Sequence, residues 1–218
     1  MKRIKMKSIT ATLLSVAMLL MLAACGGGDA QGNGGNGGGV DSPNVGSTNL
    51  TGTAEEVLQQ ILDDIAAAGV ETPMALPPLA PAPDLVQYDI GLSEADFERL
   101  VETAASSVAA IGTFAHQIII IQAKSAAMAS EVKRLVSGDG GYDAQKWICV
   151  FPDMVIAIES GSYVLVAAST NEIVEAALNS FKAAAGTTGS VVTFWDFANE
   201  NGDPEAGFGG GGGLEINP

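Results

Sequence analysis

Apolar residues recur at helical spacing in four segments of the chain. The clearest segment begins at Thr53, which can accept a hydrogen bond from the amide of Glu56 while the Glu56 carboxylate reaches back, the spacing of a capping box. An apolar stripe follows, and Gly69 marks the end of this predicted helix. The same periodicity, each time behind a serine, predicts three further helices at Ser93–Gly112, Ser125–Ser137 and Ser169–Phe181.

Other apolar runs lack this periodicity and predict β-strands. His116–Gln122 is rich in β-branched residues without alternation, which indicates a strand buried on both faces. Met154–Glu159 and Tyr163–Ala167 flank Ser160-Gly161, a two-residue hairpin signal. Leu85–Gly91 is a candidate for one more short strand.

The order of these elements predicts the fold class. It is helix, link, strand, helix, strand, helix, hairpin, helix, where the link Pro73–Pro83 is an extended, proline-rich segment that cannot join the interior of a sheet. We therefore expect an α+β domain over residues 53–198, with a small, mainly antiparallel sheet and helices packed on one face.

The amino terminus has the pattern of a bacterial targeting segment. Four cationic residues precede an apolar run, Ile9–Leu22, whose 14 residues are fewer than a membrane-spanning helix needs. Leu22, Ala23, Ala24 and Cys25 then resemble the lipobox of bacterial lipoproteins. That resemblance implies a signal peptide over residues 1–24 and a diacylglyceryl group on the Cys25 thiol, which anchors the chain to the extracytoplasmic face of the plasma membrane. The alternatives are an ordinary secretory signal and an uncleaved anchor.

Composition extends this picture. Residues 25–52 form a Gly/Asn-rich stretch that predicts a flexible tether, and residues 199–218 form a Gly-rich tail that we expect to be disordered. The chain carries a net charge of −15, and loss of residues 1–24 makes it −19. Such a chain repels phosphate and anionic lipid, so we expect no nucleic-acid partner and a domain that stands off the membrane. Hydrophobic residues at 47% exclude a wholly disordered chain.

Three motifs resemble a known family. They are the strand–helix pair from Ile118–Lys124 to Glu131–Lys133, the segment Lys146–Val150, and the hairpin Val155–Val166. Together they are similar to the domain-of-unknown-function family number 4358 of Gram-positive bacterial lipoproteins, over about residues 54–185. The resemblance implies a lipid anchor and a flexible tether. It implies no activity, cofactor or catalytic residue, because none is established for that family.

Few residues of the domain suggest catalysis. His116 is the only histidine, and it stands at the start of an apolar strand, where we expect backbone or water to satisfy it. Cys149 has no cysteine to pair with once Cys25 is acylated, and its apolar neighbours Trp147–Val150 indicate an inert core residue rather than a nucleophile. We therefore expect no catalytic residue and no cofactor.

Two segments are candidates for binding. Asp139 and Asp143 lie in a Gly-rich loop that could wrap Ca²⁺, although a solvated turn is the alternative because the loop lacks the ligand pattern of an EF-hand. Phe194, Trp195 and Phe197 form either an edge strand, which we favour, or an exposed surface for a partner.

The resulting prediction is a lipid-anchored, non-catalytic binding or scaffold module of the cell envelope, with an unknown envelope protein or glycan as its partner. The alternative is a metal-dependent envelope enzyme that uses His116 and the acidic loop residues.

Overall fold

The apolar runs of the sequence meet in one five-stranded antiparallel sheet. The computed structural model describes residues 48–147, 149–186 and 188–197. The strand order is β1-β2-β4-β3-β5, so the α+β class and the antiparallel sheet are confirmed. The elements are α1 (Ala54–Ala67), a 3-10 turn (Pro83–Leu85), α2 (Val86–Ile90), α3 (Glu94–Leu100), β1 (Val101–Val108), β2 (Gln117–Ala123), α4 (Ala126–Val136), β3 (Met154–Ser160), β4 (Tyr163–Ser169), α5 (Asn171–Ala185) and β5 (Val192–Asp196).

The helices pack on both faces of the sheet, whereas the sequence pattern led us to expect one face. Helices α1 and α5 share an apolar cluster with Ile118 and Ile120 of β2. Helices α2, α3 and α4 share a second cluster with Ile119 and Ile121 of the same strand. The reason lies in the central strands. All four isoleucines are fully buried, so each face of the sheet needs its own cover.

Local signals positioned the long helices correctly. Thr53 and Glu56 form both hydrogen bonds of the predicted capping box at the start of α1. The hydroxyl of Ser125 accepts from the amide of Met128 and so caps α4. The hairpin of β3 and β4 is also confirmed, although its two-residue turn is Gly161-Ser162, because Ser160 already pairs with Tyr163.

Two predicted elements were wrong. Leu85–Gly91 is helical rather than extended: Pro83 opens a 3-10 turn, α2 follows, and Gly91 ends it in the left-handed conformation at φ 80°. The predicted helix Ser93–Gly112 stops at Leu100, and the chain continues as β1, which pairs with β2 along its length. The segment after Leu100 forms a strand rather than a helix because the backbone N–H and C=O groups along the edge of the buried strand β2 require hydrogen-bond partners, which β1 supplies.

Two segments outside the sheet also contact it. The proline-rich link runs along the outer edge of β1, where the amide of Leu76 donates to the carbonyl of Val108 and Leu79 bridges to Ser106. Residues 48–52 fell in the expected tether, yet Leu50 is buried in the core and the Tyr163 hydroxyl donates to the Gly52 carbonyl at 2.7 Å. The folded domain therefore includes residues 48–52.

The expected signal peptide, lipobox and Cys25 lie outside the described residues, as does the expected tail at 199–218. Within the described part of the chain, no helix combines the length and apolar character that crossing a membrane requires.

Candidate binding groove beside the edge strand

One groove brings together four of the residues that the sequence singled out. Asp139 and Asp143 lie on one wall, in the loop 138–145 that follows α4, and Phe194 and Trp195 of β5 form the other. The groove has a volume of about 390 Å³. Phe197 lies outside it, stacked on Phe151 with ring centroids 6.2 Å apart.

Glycines shape the loop wall. The amide of Gly141 donates to the Gly138 carbonyl at 3.0 Å, and Gly140 adopts a left-handed conformation at φ 74°. A side chain at Gly141 would collide with the Leu135 carbonyl, so the loop can lie this close to the end of α4 only with glycine there. This close approach positions the two exposed carboxylates on the rim of the groove.

A β-bulge shapes the aromatic wall. Strand β5 pairs antiparallel with β3 at the edge of the sheet, which confirms the favoured edge-strand prediction for Phe194 and Trp195, whereas Phe197 follows the end of the strand. Val155 pairs with Trp195 and Ile156 with Thr193, so Phe194 is an extra residue between them. Consecutive side chains of a regular strand point to opposite faces. The bulge instead lets Phe194 and Trp195 both pack on the α4 side of the sheet.

The floor of the groove is held by a buried aromatic–lysine cluster. Tyr142 is buried, contacts Phe194 edge to face at 6.3 Å, and donates to Gln117 Oε1 at 2.9 Å. Lys146 Nζ lies 4.1 Å from the Tyr142 ring centroid and donates to the carbonyls of Tyr88 and Asp89, both at 3.1 Å. The two hydrogen bonds from Lys146, which directly follows loop 138–145, connect the end of this loop to α2.

Burial perturbs the ionisation of this cluster. It lowers the pKa of Lys146 to about 8, an effect that the nearby Asp89 carboxylate partly offsets. Burial also raises the pKa of Asp89 and of Tyr142. The sequence analysis did not predict that Lys146 packs against aromatic rings. A lysine close in sequence to Tyr142 and Trp147 is nevertheless a local signal for a cation–π contact.

Among the described residues, the carboxylates of the acidic loop do not form part of a metal-binding cluster. Asp143 Oδ1 accepts from the Gln145 amide at 2.8 Å, which is the arrangement of a solvated turn. Across residues 48–147, 149–186 and 188–197, no three His, Cys, Asp or Glu side chains converge as metal ligands would. The arrangement can offer carboxylate acceptors and aromatic faces to a ligand.

His116 lies in a different cavity from the acidic loop. It is fully buried just before β2, and its Nδ1 lies 3.0 Å from Ser169 Oγ at the end of β4. The second ring nitrogen, Nε2, has no hydrogen-bond partner among the described residues. Burial lowers the pKa of His116 to about 4. His116 and the carboxylates of Asp139 and Asp143 therefore line different cavities, although the metal-dependent enzyme alternative would require them in one site.

The prediction of a buried Cys149 was wrong. Its side chain is exposed, in the loop between α4 and β3. Cys149 adopts φ 64°, a left-handed conformation that is uncommon for a residue other than glycine. The apolar neighbours in the sequence indicated a core position, but the residue lies in a loop outside the sheet.

Comparison with protein-family models, with curated proteins and with solved structures finds no match to this chain.

Proposed function

We propose that this chain is a bacterial lipoprotein, anchored through acylated Cys25 at the extracytoplasmic face of the plasma membrane, whose folded domain is a non-catalytic binding or scaffold module. The groove between loop 138–145 and β5 is its binding surface. One observation carries the assignment of the binding surface: two segments some fifty residues apart, each a candidate for binding in the sequence, line the same groove.

The chemistry of the groove suits a partner in the cell envelope. The carboxylates of Asp139 and Asp143 are exposed and can accept hydrogen bonds from hydroxyl or amide groups. Phe194 and Trp195 are half-buried, and such rings supply rigid contact area for sugar rings or protein side chains. The occupant that we propose is accordingly an envelope glycan or protein.

The sequence of the amino terminus supports the anchor, because Leu22, Ala23, Ala24 and Cys25 resemble the lipobox of bacterial lipoproteins. Two acyl chains give stable membrane attachment, since each buried methylene contributes about 0.8 kcal/mol. With a net charge of −19 after cleavage, we expect the domain to be repelled by anionic headgroups. Its groove would then remain accessible above the membrane.

Metabolic labelling with an alkyne-bearing fatty acid tests the anchor. We expect the wild-type chain to carry the label and to sediment with membranes. The Cys25→Ser variant should lose both properties, since the acylated sulfur is the attachment point. An unlabelled wild-type protein with an intact amino terminus would refute this half of the proposal.

Site-specific photo-crosslinking in living cells tests the groove. The crosslinker replaces Gln145, which is exposed and lines the groove, or Gln59 as a matched control on the exposed face of α1. We expect adducts at position 145 that Asp139→Asn weakens, and that the control substitution Asp63→Asn leaves unchanged. Digestion with glycosidase or protease then identifies the partner class. Equal adducts from both positions would refute the groove as the binding surface.

A further inference from the structure

The cavity around His116 has features of a binding site and shares no residue with the groove. It has a volume of about 190 Å³. Apolar side chains of Phe114, Phe151 and Ile173 line it together with His116 and Ser169. A buried apolar cavity of about 150 Å³ suffices to hold a benzene ring. This cavity can therefore hold a ring-sized molecule with one polar substituent.

The hydrogen bonding of His116 defines the polar group that such a molecule would need. If Nδ1–H donated to Ser169 Oγ, two buried groups would lack partners: the serine hydroxyl hydrogen and the Nε2 lone pair. If the Ser169 hydroxyl donates to Nδ1, only Nε2–H is left over. The second tautomer leaves fewer groups unsatisfied, so it is favoured. His116 then offers one N–H donor that lacks an acceptor among the described residues.

The surroundings select against an anion. A wider groove of about 570 Å³ adjoins the cavity and shares Phe114, Asp153 and Ile173 with it. Glu71 and Glu172 line this outer groove, so three carboxylates surround the approach. Asp153 also accepts from the amide of Asn171 at 3.4 Å, at the start of α5. A negatively charged ligand would meet like charges here.

We propose that this cavity binds a small uncharged molecule with an apolar, ring-sized body and a carbonyl or hydroxyl oxygen, and that His116 Nε2–H donates to that oxygen. The proposal does not depend on the function of the groove beside β5. It assigns the partnerless nitrogen of a buried histidine to ligand binding, whereas a merely structural histidine would need only water there.

The single histidine of the chain allows a direct test by NMR. We label the full chain with ¹⁵N-histidine, purify it without a histidine tag, and record long-range ¹H–¹⁵N spectra. The ligand-free protein should show a neutral ring with the proton on Nε2. Benzamide, the neutral acceptor probe, should shift the Nε2 resonance in a saturable manner. Toluene, which has no acceptor, should bind up to about tenfold more weakly, the factor expected for one lost hydrogen bond. Benzoate can accept the hydrogen bond but should also bind more weakly, because its charge meets the three carboxylates around the approach.

Two substitutions separate this site from the groove. Ser169→Ala removes the hydroxyl that donates to Nδ1 and leaves the other residues that line the cavity unchanged. It should move part of the ring proton to Nδ1 and weaken benzamide binding. Asp139→Asn, in the groove beside β5, should change neither. The proposal is overturned if benzamide causes no saturable shift, if toluene binds as tightly as benzamide, or if the free ring carries its proton on Nδ1.

Discussion

Burial of His116 makes the domain sensitive to mild acid. In the unfolded chain the imidazole has its ordinary pKa of 6.5, whereas burial lowers the pKa in the folded domain to about 4. As the pH falls below 6.5, the unfolded state binds a proton that the folded state does not. Stability is therefore complete above pH 6.5 and decreases until the pH reaches the folded pKa.

The size of this loss follows from the two pKa values. At 1.36 kcal/mol per pH unit, a pKa that falls from 6.5 to about 4 corresponds to about 3 kcal/mol. A domain of this size has a total stability of about 5–15 kcal/mol. Protonation of one side chain would thus remove a substantial fraction of the free energy of unfolding.

Urea unfolding, followed by tryptophan fluorescence between roughly pH 7 and pH 4, measures the effect. The chain also contains 25 acidic residues that titrate near the lower limit, so the wild type is compared with His116→Gln, in which their contribution is the same. We expect the wild type to lose about 3 kcal/mol more than the variant over this range. Equal losses in the two proteins would show that the imidazole protonates as easily in the folded domain as in the unfolded chain, and the reasoning would fail.

Three further predictions concern other buried or exposed groups. Lys133 Nζ lies 2.5 Å from Glu159 Oε2, and both side chains are under 15% exposed, so Lys133→Ala should cost about 3 kcal/mol in urea unfolding by leaving a buried charge unpaired. The double variant with Glu159→Ala should be more stable than that single variant, and a further loss would contradict the pairing. Lys146 should titrate near pH 8 by ¹³C NMR of the methylated amine. The free energy of unfolding should then rise between pH 8 and 10.5, because only the unfolded chain still binds the proton in that range. Titration above about pH 10 would show that the ammonium of Lys146 is not desolvated. With Cys25→Ser in the background, Cys149 should react with a thiol reagent in the folded state as fast as in urea, and a reaction that requires unfolding would show that it is buried.

The sequence predicted best those elements whose signals are local. Helices α1 and α4 carry both an apolar stripe and a side-chain cap, and each begins within one residue of its predicted cap. The β3–β4 hairpin was equally clear, because two apolar runs flank a glycine turn. These features depend on neighbours within a few residues, which is the information that a single sequence contains.

Strand β1 was missed because its stability comes from residues distant in the sequence. Val101, Ala104 and Val108 continue the stripe of the preceding helix, and no glycine or proline separates the two. What decides the conformation is the unpaired edge of β2, which forms a seven-residue register with β1. Local propensity is a weak prior when a tertiary partner offers a complete hydrogen-bond ladder. The packing of helices on both faces of the sheet was missed for a related reason, since it depends on a sheet that was itself incomplete.

The candidate groove shows the same division between local chemistry and distant geometry. Asp139, Asp143, Phe194 and Trp195 were each selected from the sequence, yet nothing local indicated that they share one surface. Their proximity requires β5 to pair with β3, and the aromatic wall requires the bulge at Phe194. A regular strand would direct Phe194 and Trp195 to opposite faces, leaving one ring outside the groove. The bulge is therefore the feature on which the proposed binding surface depends most, and a one-residue deletion in β5 should disrupt the groove even where the chain still folds.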